Sequence, residues 1–279
     1  MIGLVGLGRM GGAMLGRLRD QGQDVAAFDQ DAGLRTRAGG VASVADCAAP
    51  VVILSLPHEA AVEAVLAALL PAMPKAGVVV DTSTIAPGAA RRFAEQTAMA
   101  GVGYLDAPVS GGPAGAAAGT LAMMLGGAPE AIAAARPVLE LVATRITHVG
   151  GPGAGQVAKL ANNLLVATHL MAAAEALRMA DAAGVDPAAL LPVLNAASGR
   201  SAATEVNWPR WILPGGFDSG FAAGLMRKDV RLALELAEAA GTPLPVCAAA
   251  ASLWEASPVP DAEEFNRVPA ALFQDRSHG

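Results

Sequence analysis

A lysine and an asparagine four residues apart, Lys159 and Asn163 in "GAGQVAKLANNLLVA", first invite a chemical reading of this sequence. From Ile146 to Ala174, Lys159 is the only permanently charged residue, in a stretch of small and apolar residues that reads as a helix. A lone ammonium on a buried helix costs free energy unless it is partnered or used. One turn separates Lys159 from Asn163, so the two share a face. Asn162 lies about a hundred degrees round and is expected to face elsewhere. The residues alone leave two readings open. In one, the lysine snorkels to solvent beside a satisfied core amide. In the other, an acid–base group sits beside an amide that orients a substrate.

"DAPVSGGPAGAAAGT", residues 106 to 120, supplies a complementary part. Ser110, Gly111 and Gly112 follow a predicted strand, where a hydroxyl and exposed backbone N–H groups can hold a carboxylate; a plain glycine turn is the competing account. A third motif stands at the start of the chain. Gly6, Gly8 and Gly11 form G-x-G-x-x-G between the first apolar run and the first helical pattern. That spacing provides a tight turn, close backbone approach to a pyrophosphate, and helix N–H groups facing its charge. The turn residues Gly6, Leu7, Gly8, Arg9, Met10 and Gly11 are therefore candidate dinucleotide contacts. Asp29 ends the second predicted strand, 18 residues after Gly11, near the spacing of a ribose-binding carboxylate. A carboxylate there repels a 2′-phosphate, so NAD is expected, with NADP as the alternative that Arg35 and Arg37 nearby keep open. Asp29 could equally be a strand-end turn residue.

The elements that must position these residues divide the chain in two. "IGLVGLG", "DVAAFD", "PVVILSLP", "AGVVVDTST" and "GVGYLDAPVS" read as short buried strands, alternating with helical segments such as "RMGGAMLGRLRDQG", "EAAVEAVLAALLPAM" and "PGAARRFAEQTAMA". This alternation predicts an α/β fold, a Rossmann-type parallel sheet covered on both faces, with ligands at the carboxyl ends of its strands. After about Gly155 strand signals nearly stop. "QVAKLANNLLVATHLMAAAEALRMADAAG" reads as one long helix, followed by the helical segments "DPAALLPVLNAAS", "LMRKDVRLALELAEAAG" and "PLPVCAAAASLWEAS". The expected organisation is a dinucleotide-binding domain over 1–155 and an all-α domain over 156–279 that begins with an interdomain helix. Interdomain clefts are favoured ligand sites. The last dozen residues are expected to be weakly ordered.

Composition narrows the classes. The 279 residues are 53% hydrophobic and 16% charged, which excludes a disordered chain. A net charge of -6 without a basic run argues against nucleic acid or an anionic membrane surface, and in favour of a small-molecule partner. Apolar runs such as "PVVILSLP" are too short to span a bilayer. Cys47 and Cys247 fit neither a disulfide framework nor a metal set, and no ligand-like spacing of histidines and cysteines predicts a metal. The opening "MIGLVGLG" reads as a strand with no leader ahead of it, so a cytoplasmic location is expected.

Taken in order, "GLGRMGGAM", "SLP", "DTSTI", "DAPVSGGPAGAAAGTLAMMLGG", "GAGQVAKLANN" and "LMRKD" resemble the β-hydroxyacid dehydrogenases over nearly the whole chain, most of all the branch acting on 3-hydroxyisobutyrate and tartronate semialdehyde. The resemblance implies a nucleotide-binding domain, an interdomain helix and an all-helical domain that also mediates oligomerisation, as a homodimer or homotetramer. It makes Lys159 the catalytic residue, Asn163 a substrate-binding partner, and Ser110, Gly111 and Gly112 the loop for the substrate carboxylate. Leu56 and Pro57 line the dinucleotide, Thr84 sits near the nicotinamide ribose, Phe221 closes over the nicotinamide, and Lys228 reaches the cofactor with Asp229 close behind. Without the resemblance, Lys228 reads as one charge on a solvated stripe with Arg231, Glu235 and Glu238. Family members often carry an aromatic residue soon after Ser201; here Ala202 and Ala203 imply a wider pocket, or one that Trp208 fills.

The activity implied is NAD(P)-dependent oxidation of a short 3-hydroxy acid to its semialdehyde, or the reverse, with 3-hydroxyisobutyrate first because an alanine-rich pocket suits a small apolar substituent. Neutral Lys159 accepts the hydroxyl proton in oxidation, and the ammonium returns it in reduction. A lysine of ordinary pKa, near 10.4, is mostly charged at neutral pH, so oxidation should improve as pH rises. Alternatives are a tartronate or succinic semialdehyde reductase, an enzyme acting on β-hydroxy amino acids, an imine reductase on the same scaffold, and a dinucleotide-binding scaffold without catalysis. Lys159 and Asp29 speak against the imine reductase.

Overall fold

The computed structural model describes residues 1–274. By its internal contacts the chain divides into two compact units, Met1–Lys159 and a second beginning at Leu160. In the first, β1 (Ile2–Val5), β2 (Val25–Phe28), β3 (Val51–Leu54), β4 (Val78–Asp81) and β5 (Gly103–Asp106) pair in parallel in the order β2-β1-β3-β4-β5. Side chains on successive strand residues point to opposite faces. Leu4, Ile53 and Val80 accordingly enter one core cluster, and Val5, Leu54 and Val79 the other. Both faces are covered, which is why these strands appear in the sequence as unbroken apolar runs. α1 (Arg9–Asp20) contributes Met14 and Leu18 to the first face, and α3 (Glu59–Leu69) and α4 (Pro87–Met99) contribute Leu66 and Phe93 to the second; α2 (Ala32–Arg37) is a short turn of helix capped by Asp31.

The sheet does not end at β5. β6 (Val109–Ser110) follows two residues later, α5 (Gly112–Ala118) leads into β7 (Leu121–Gly127), and α6 (Pro129–Val142) leads into β8 (Ala143–Gly150). β5 and β6 pair antiparallel with successive parts of β7, and β8 pairs parallel with it, completing one eight-stranded sheet among the described residues. The parallel sheet expected from the alternation is therefore extended by a mixed edge. β8 is an edge strand whose side chains are mostly exposed, so it lacks the apolar run that marks β1 to β5.

α7 (Ala154–Ala182) is a helix of 29 residues, as the sequence pattern predicts. The second unit adds α8 (Pro187–Ala196), a π-helical segment over Ala203–Ile212, α9 (Ala223–Ala239), α10 (Pro245–Ala256) and α11 (Arg267–Gln274) around a core that includes Leu170, Leu191, Trp208, Val230 and Trp254. Asp186 caps α8 through the Ala188 N–H, 2.9 Å. Two expectations change here. Val268, Pro269 and Ala270 of α11 are buried, so apolar burial orders residues 268–274 of the stretch expected to be weakly ordered, and its last five lie outside the described residues. Trp208 is fully buried and meets Phe273 edge to face at 5.4 Å, so it serves as core and does not fill a pocket.

Candidate active site

The strand order reverses between β1 and β3, both of which neighbour strands on opposite sides, and open α/β sheets bind ligands at such switch points. The glycine turn follows β1, and "SLP" follows β3. Gly6 takes φ 95°, and a Cβ there would lie 2.2 Å from the Ser55 carbonyl oxygen. A Cβ on Gly11 would lie 1.8 Å from the Gly6 oxygen, so both glycines are required by packing. Gly8 differs: a Cβ there meets nothing within 4 Å, and Gly8 caps α1 with no side-chain hydrogen bond and no acidic residue in the first turn. This leaves open space in front of helix N–H groups, which fits a dinucleotide pyrophosphate. Asp29 Oδ2 accepts the Leu7 N–H at 2.6 Å and Oδ1 accepts the Asp31 N–H at 2.8 Å, so the structure brings Asp29 against the turn. Arg35 donates to the Asp29 carbonyl at 2.6 Å and stacks over Phe28. Arg9, exposed, and Met10, half-buried, open α1; Leu56 is half-buried and Pro57 exposed at the end of β3.

Within the first unit, a buried polar network joins the carboxyl ends of β3, β4 and β5 to the first turn of α7. The Ser83 hydroxyl accepts the Leu56 N–H at 2.9 Å and bonds Asp81, which also accepts the Ser83 N–H at 2.9 Å and the Tyr104 hydroxyl at 2.7 Å. Burial pushes the Asp81 carboxyl up to about 6 against its hydrogen bonds, and the nearby Asp106 charge adds to the rise. Burial and the Asp81 charge push the Tyr104 phenol well above 10. Asp106, fully buried, accepts the Gly153 N–H at 2.8 Å and the Gln156 N–H at 2.9 Å; burial raises its pKa and these N–H bonds oppose the rise. Gln156 donates through Nε2 to the Ser83 carbonyl at 2.8 Å and accepts the Ile85 N–H at 3.2 Å. Lys159 follows one turn later and is buried, 8% exposed, which disfavours a side chain extended into water. Thr84 lies between the two Gln156 partners. Ser110 is half-buried at the end of β6, and Gly111, at φ 127°, and Gly112, at φ 64°, open α5.

In the second unit Asn163 is buried and its Nδ2 donates to Asp229 Oδ2 at 2.6 Å. Asn162, half-buried, donates through Nδ2 to Asn163 Oδ1 at 3.0 Å, so its amide bends toward that of its neighbour. Lys228 lies 3.3 Å from Asp229 Oδ1 and is a quarter exposed, whereas Arg231, Glu235 and Glu238 are fully on the surface, so Lys228 is not simply part of that solvated stripe. Phe221 meets Phe265 edge to face at 5.4 Å and accepts its N–H at 2.9 Å; Ser219 of the same loop is hydrogen-bonded to Glu264, whose carboxyl is raised by burial. Arg227 is buried and ties α9 to the carbonyls of Trp254, Ser257 and Val259. Asp106, Gln156, Asp81 and Glu264 escaped the sequence reading, because each looks like an ordinary turn or helix residue until partners far along the chain are known. Among the described residues no group of three His, Cys, Asp or Glu side chains could hold a metal, and no helix is long and apolar enough to cross a membrane.

A Rossmann-like sheet with a dinucleotide turn at its switch point and a buried lysine on a long helix defines a nicotinamide-dependent oxidoreductase. Residues 1–150 match the family model described as the NAD-binding domain of 6-phosphogluconate dehydrogenase, and residues 153–263 match the NAD-binding domain of NADP-dependent 3-hydroxyisobutyrate dehydrogenase. The chain is 40% identical to a 3-hydroxyisobutyrate dehydrogenase of Pseudomonas aeruginosa, covering 94% of this chain and 93% of that protein. It is 36% identical to 2-(hydroxymethyl)glutarate dehydrogenase of Eubacterium barkeri, over 91% of this chain and 88% of that one. The solved structure of Mycobacterium tuberculosis 3-hydroxyisobutyrate dehydrogenase with L-serine superposes with a TM-score of 0.91 at 35% identity, covering 97% and 98% of the two chains. The chain belongs to the β-hydroxyacid dehydrogenase family and is an NAD(P)-dependent 3-hydroxyacid dehydrogenase acting on a small-molecule substrate.

Proposed function

We propose that the enzyme oxidises 3-hydroxyisobutyrate to its semialdehyde, with NAD as the preferred cofactor and Lys159 as the general base. The observation that carries this reading is a buried Lys159 one turn beyond a helix start that is anchored to the carboxyl ends of β4 and β5. When bound, the nicotinamide supplies the hydride acceptor. Lys159 takes the hydroxyl proton during oxidation and returns it in reduction. Ser110 and the N–H groups of Gly111 and Gly112 bind the substrate carboxylate, and Asn163, oriented by Asp229, positions the hydroxyl-bearing carbon.

Gly6, Leu7, Gly8, Arg9, Met10 and Gly11 hold the pyrophosphate, Leu56, Pro57 and Thr84 line the nucleotide, and Phe221 and Lys228 complete the nicotinamide side. Residues 1–155 serve as the dinucleotide domain, and 156–279 as the substrate and oligomerisation domain. Two contacts support NAD: the Asp29 carboxylate at the turn, and the engagement of Arg35 with the Asp29 carbonyl and the Phe28 ring. Exposed Leu165, Met179 and Val193 support a homodimer or homotetramer, and the enzyme is assigned to the cytoplasm. The test is kcat/KM with NAD and NADP over a panel of 3-hydroxyisobutyrate, glycerate, 4-hydroxybutyrate and L-serine. Greatest kcat/KM for 3-hydroxyisobutyrate with NAD is expected. A tenfold or greater preference for another acid, or for NADP, overturns the corresponding assignment.

A further inference from the structure

The first turn of a helix exposes N–H groups that need partners. In α7 the Ala154 N–H turns back to the Gly151 carbonyl at 3.0 Å, while Asp106, 47 and 50 residues away, accepts from Gly153 and Gln156 through its two carboxylate oxygens. A carboxylate at this end of the helix also meets a favourable dipole. Gly155 permits the approach, since a Cβ there would lie 2.4 Å from the Met124 carbonyl oxygen, 2.6 Å from the Asp106 carbonyl oxygen and 2.9 Å from Asp106 Oδ2. Gln156 then fixes the rotation of the turn. Its side chain is fully buried and bonded to the backbone on both sides of Thr84, at the Ser83 carbonyl and the Ile85 N–H. The Ser83 hydroxyl in turn holds the Leu56 N–H. A single amide thus connects the loops after β3 and β4 to the helical turn preceding Lys159.

From this we infer that Gln156 is a positioning residue of the reaction: together with Asp106 it sets where the Lys159 ammonium lies relative to the loops carrying Leu56 and Thr84. The inference rests on Lys159 being the acid–base group. Lys159 stands three residues beyond Gln156, on the neighbouring line of the helix surface. If Gln156 loses its two bonds, the turn can rotate by a few degrees about the axis, and a long side chain amplifies that rotation. A misplacement of about 1 Å in a proton-transfer group lowers turnover by about 10²-fold. A simple packing role for Gln156 predicts altered stability without this loss in folded enzyme.

The test compares Gln156→Met, which keeps the volume and removes both hydrogen bonds, with Gln156→Glu and Lys159→Ala, using 3-hydroxyisobutyrate and NAD. Thermal melting and NAD titration by tryptophan fluorescence establish that each variant is folded and binds cofactor. Gln156→Met is expected to lower kcat by 10- to 100-fold, with the Kd for NAD within about twofold of the unaltered enzyme. Gln156→Glu supplies a pH readout. A protonated Glu keeps one donor and one acceptor, whereas the carboxylate only accepts. Its kcat relative to the unaltered enzyme should therefore rise as pH falls. Unaltered kcat in folded Gln156→Met, while Lys159→Ala is inactive, overturns the positioning role alone. So does a flat pH ratio for Gln156→Glu. Near-normal turnover in Lys159→Ala, or none in the unaltered enzyme, overturns the underlying reading and the inference with it.

Discussion

Asp81→Asn should make the protein more stable, relative to the unaltered chain, the higher the pH. Asp81 is fully buried, and its carboxyl is raised from 3.8 to about 6, chiefly by burial. The folded state therefore binds a proton that the unfolded chain has released over the interval from about pH 4 to pH 6. Stability contributed by this group is greatest below that interval and falls as pH rises through it, with the full penalty of the buried charge present above pH 6. Each pH unit of displacement is worth 1.36 kcal/mol, so the stability difference between Asp81→Asn and the unaltered protein should grow by about 2–3 kcal/mol between pH 4 and pH 7. Asparagine also changes the bonds to Tyr104 and Ser83, but that contribution is a constant offset that the slope ignores. For a protein of this size the change corresponds to roughly 5–10 °C in the melting-temperature difference. Melting curves of both proteins across pH 4 to 7 provide the assay. A difference that stays level over this range refutes the assignment of a raised carboxyl to Asp81.

Three further outcomes follow from the same geometry. Tyr104 is the only tyrosine, and its phenol lies well above 10, so ultraviolet titration of the folded protein should show no tyrosinate near pH 10.5; a normal titration curve there means that the hydroxyl is not held by Asp81. Gly8→Ala should keep the melting temperature within about 2 °C while weakening NAD binding at least about tenfold, because its Cβ enters open space in front of α1, whereas Gly11→Ala, whose Cβ would strike the Gly6 carbonyl, should lower melting markedly; equal melting in both variants contradicts the packing assigned to Gly11. Cys47 is buried with its thiol pushed up to about 11, and Cys247 is half-buried, so a thiol reagent at pH 8 should modify Cys247 and leave Cys47 intact until unfolding; rapid modification of both refutes this.

What was legible in the sequence is what a short window contains. β1, the glycine turn and α1 are one continuous pattern, and Asp29 is placed beside the turn by the parallel pairing of β1 with β2 that any such unit adopts. The uninterrupted character of α7 follows from a run of residues without proline or interior charge conflict. β7 escaped because "LAMMLGG" is rich in residues that also favour helices, and β8 because an exposed edge strand shows no apolar periodicity. The π-helix at 203–212 was hidden by Pro209, which ordinarily argues for a loop. The anchoring of α7 was illegible for another reason. Asp106 and Gln156 are 50 residues apart, and nothing in their local surroundings distinguishes them from a turn carboxylate and a helix-surface amide.

Nicotinamide absorbance at matched enzyme concentration, with Lys159→Ala against the unaltered protein, NAD and 3-hydroxy acids, tests the central claim most directly. Loss of at least about a hundredfold in kcat, with NAD still bound and partial recovery on adding a small primary amine, is the predicted result. Turnover in the variant within a fewfold of the unaltered enzyme would contradict the assignment of Lys159 as the group that moves the proton.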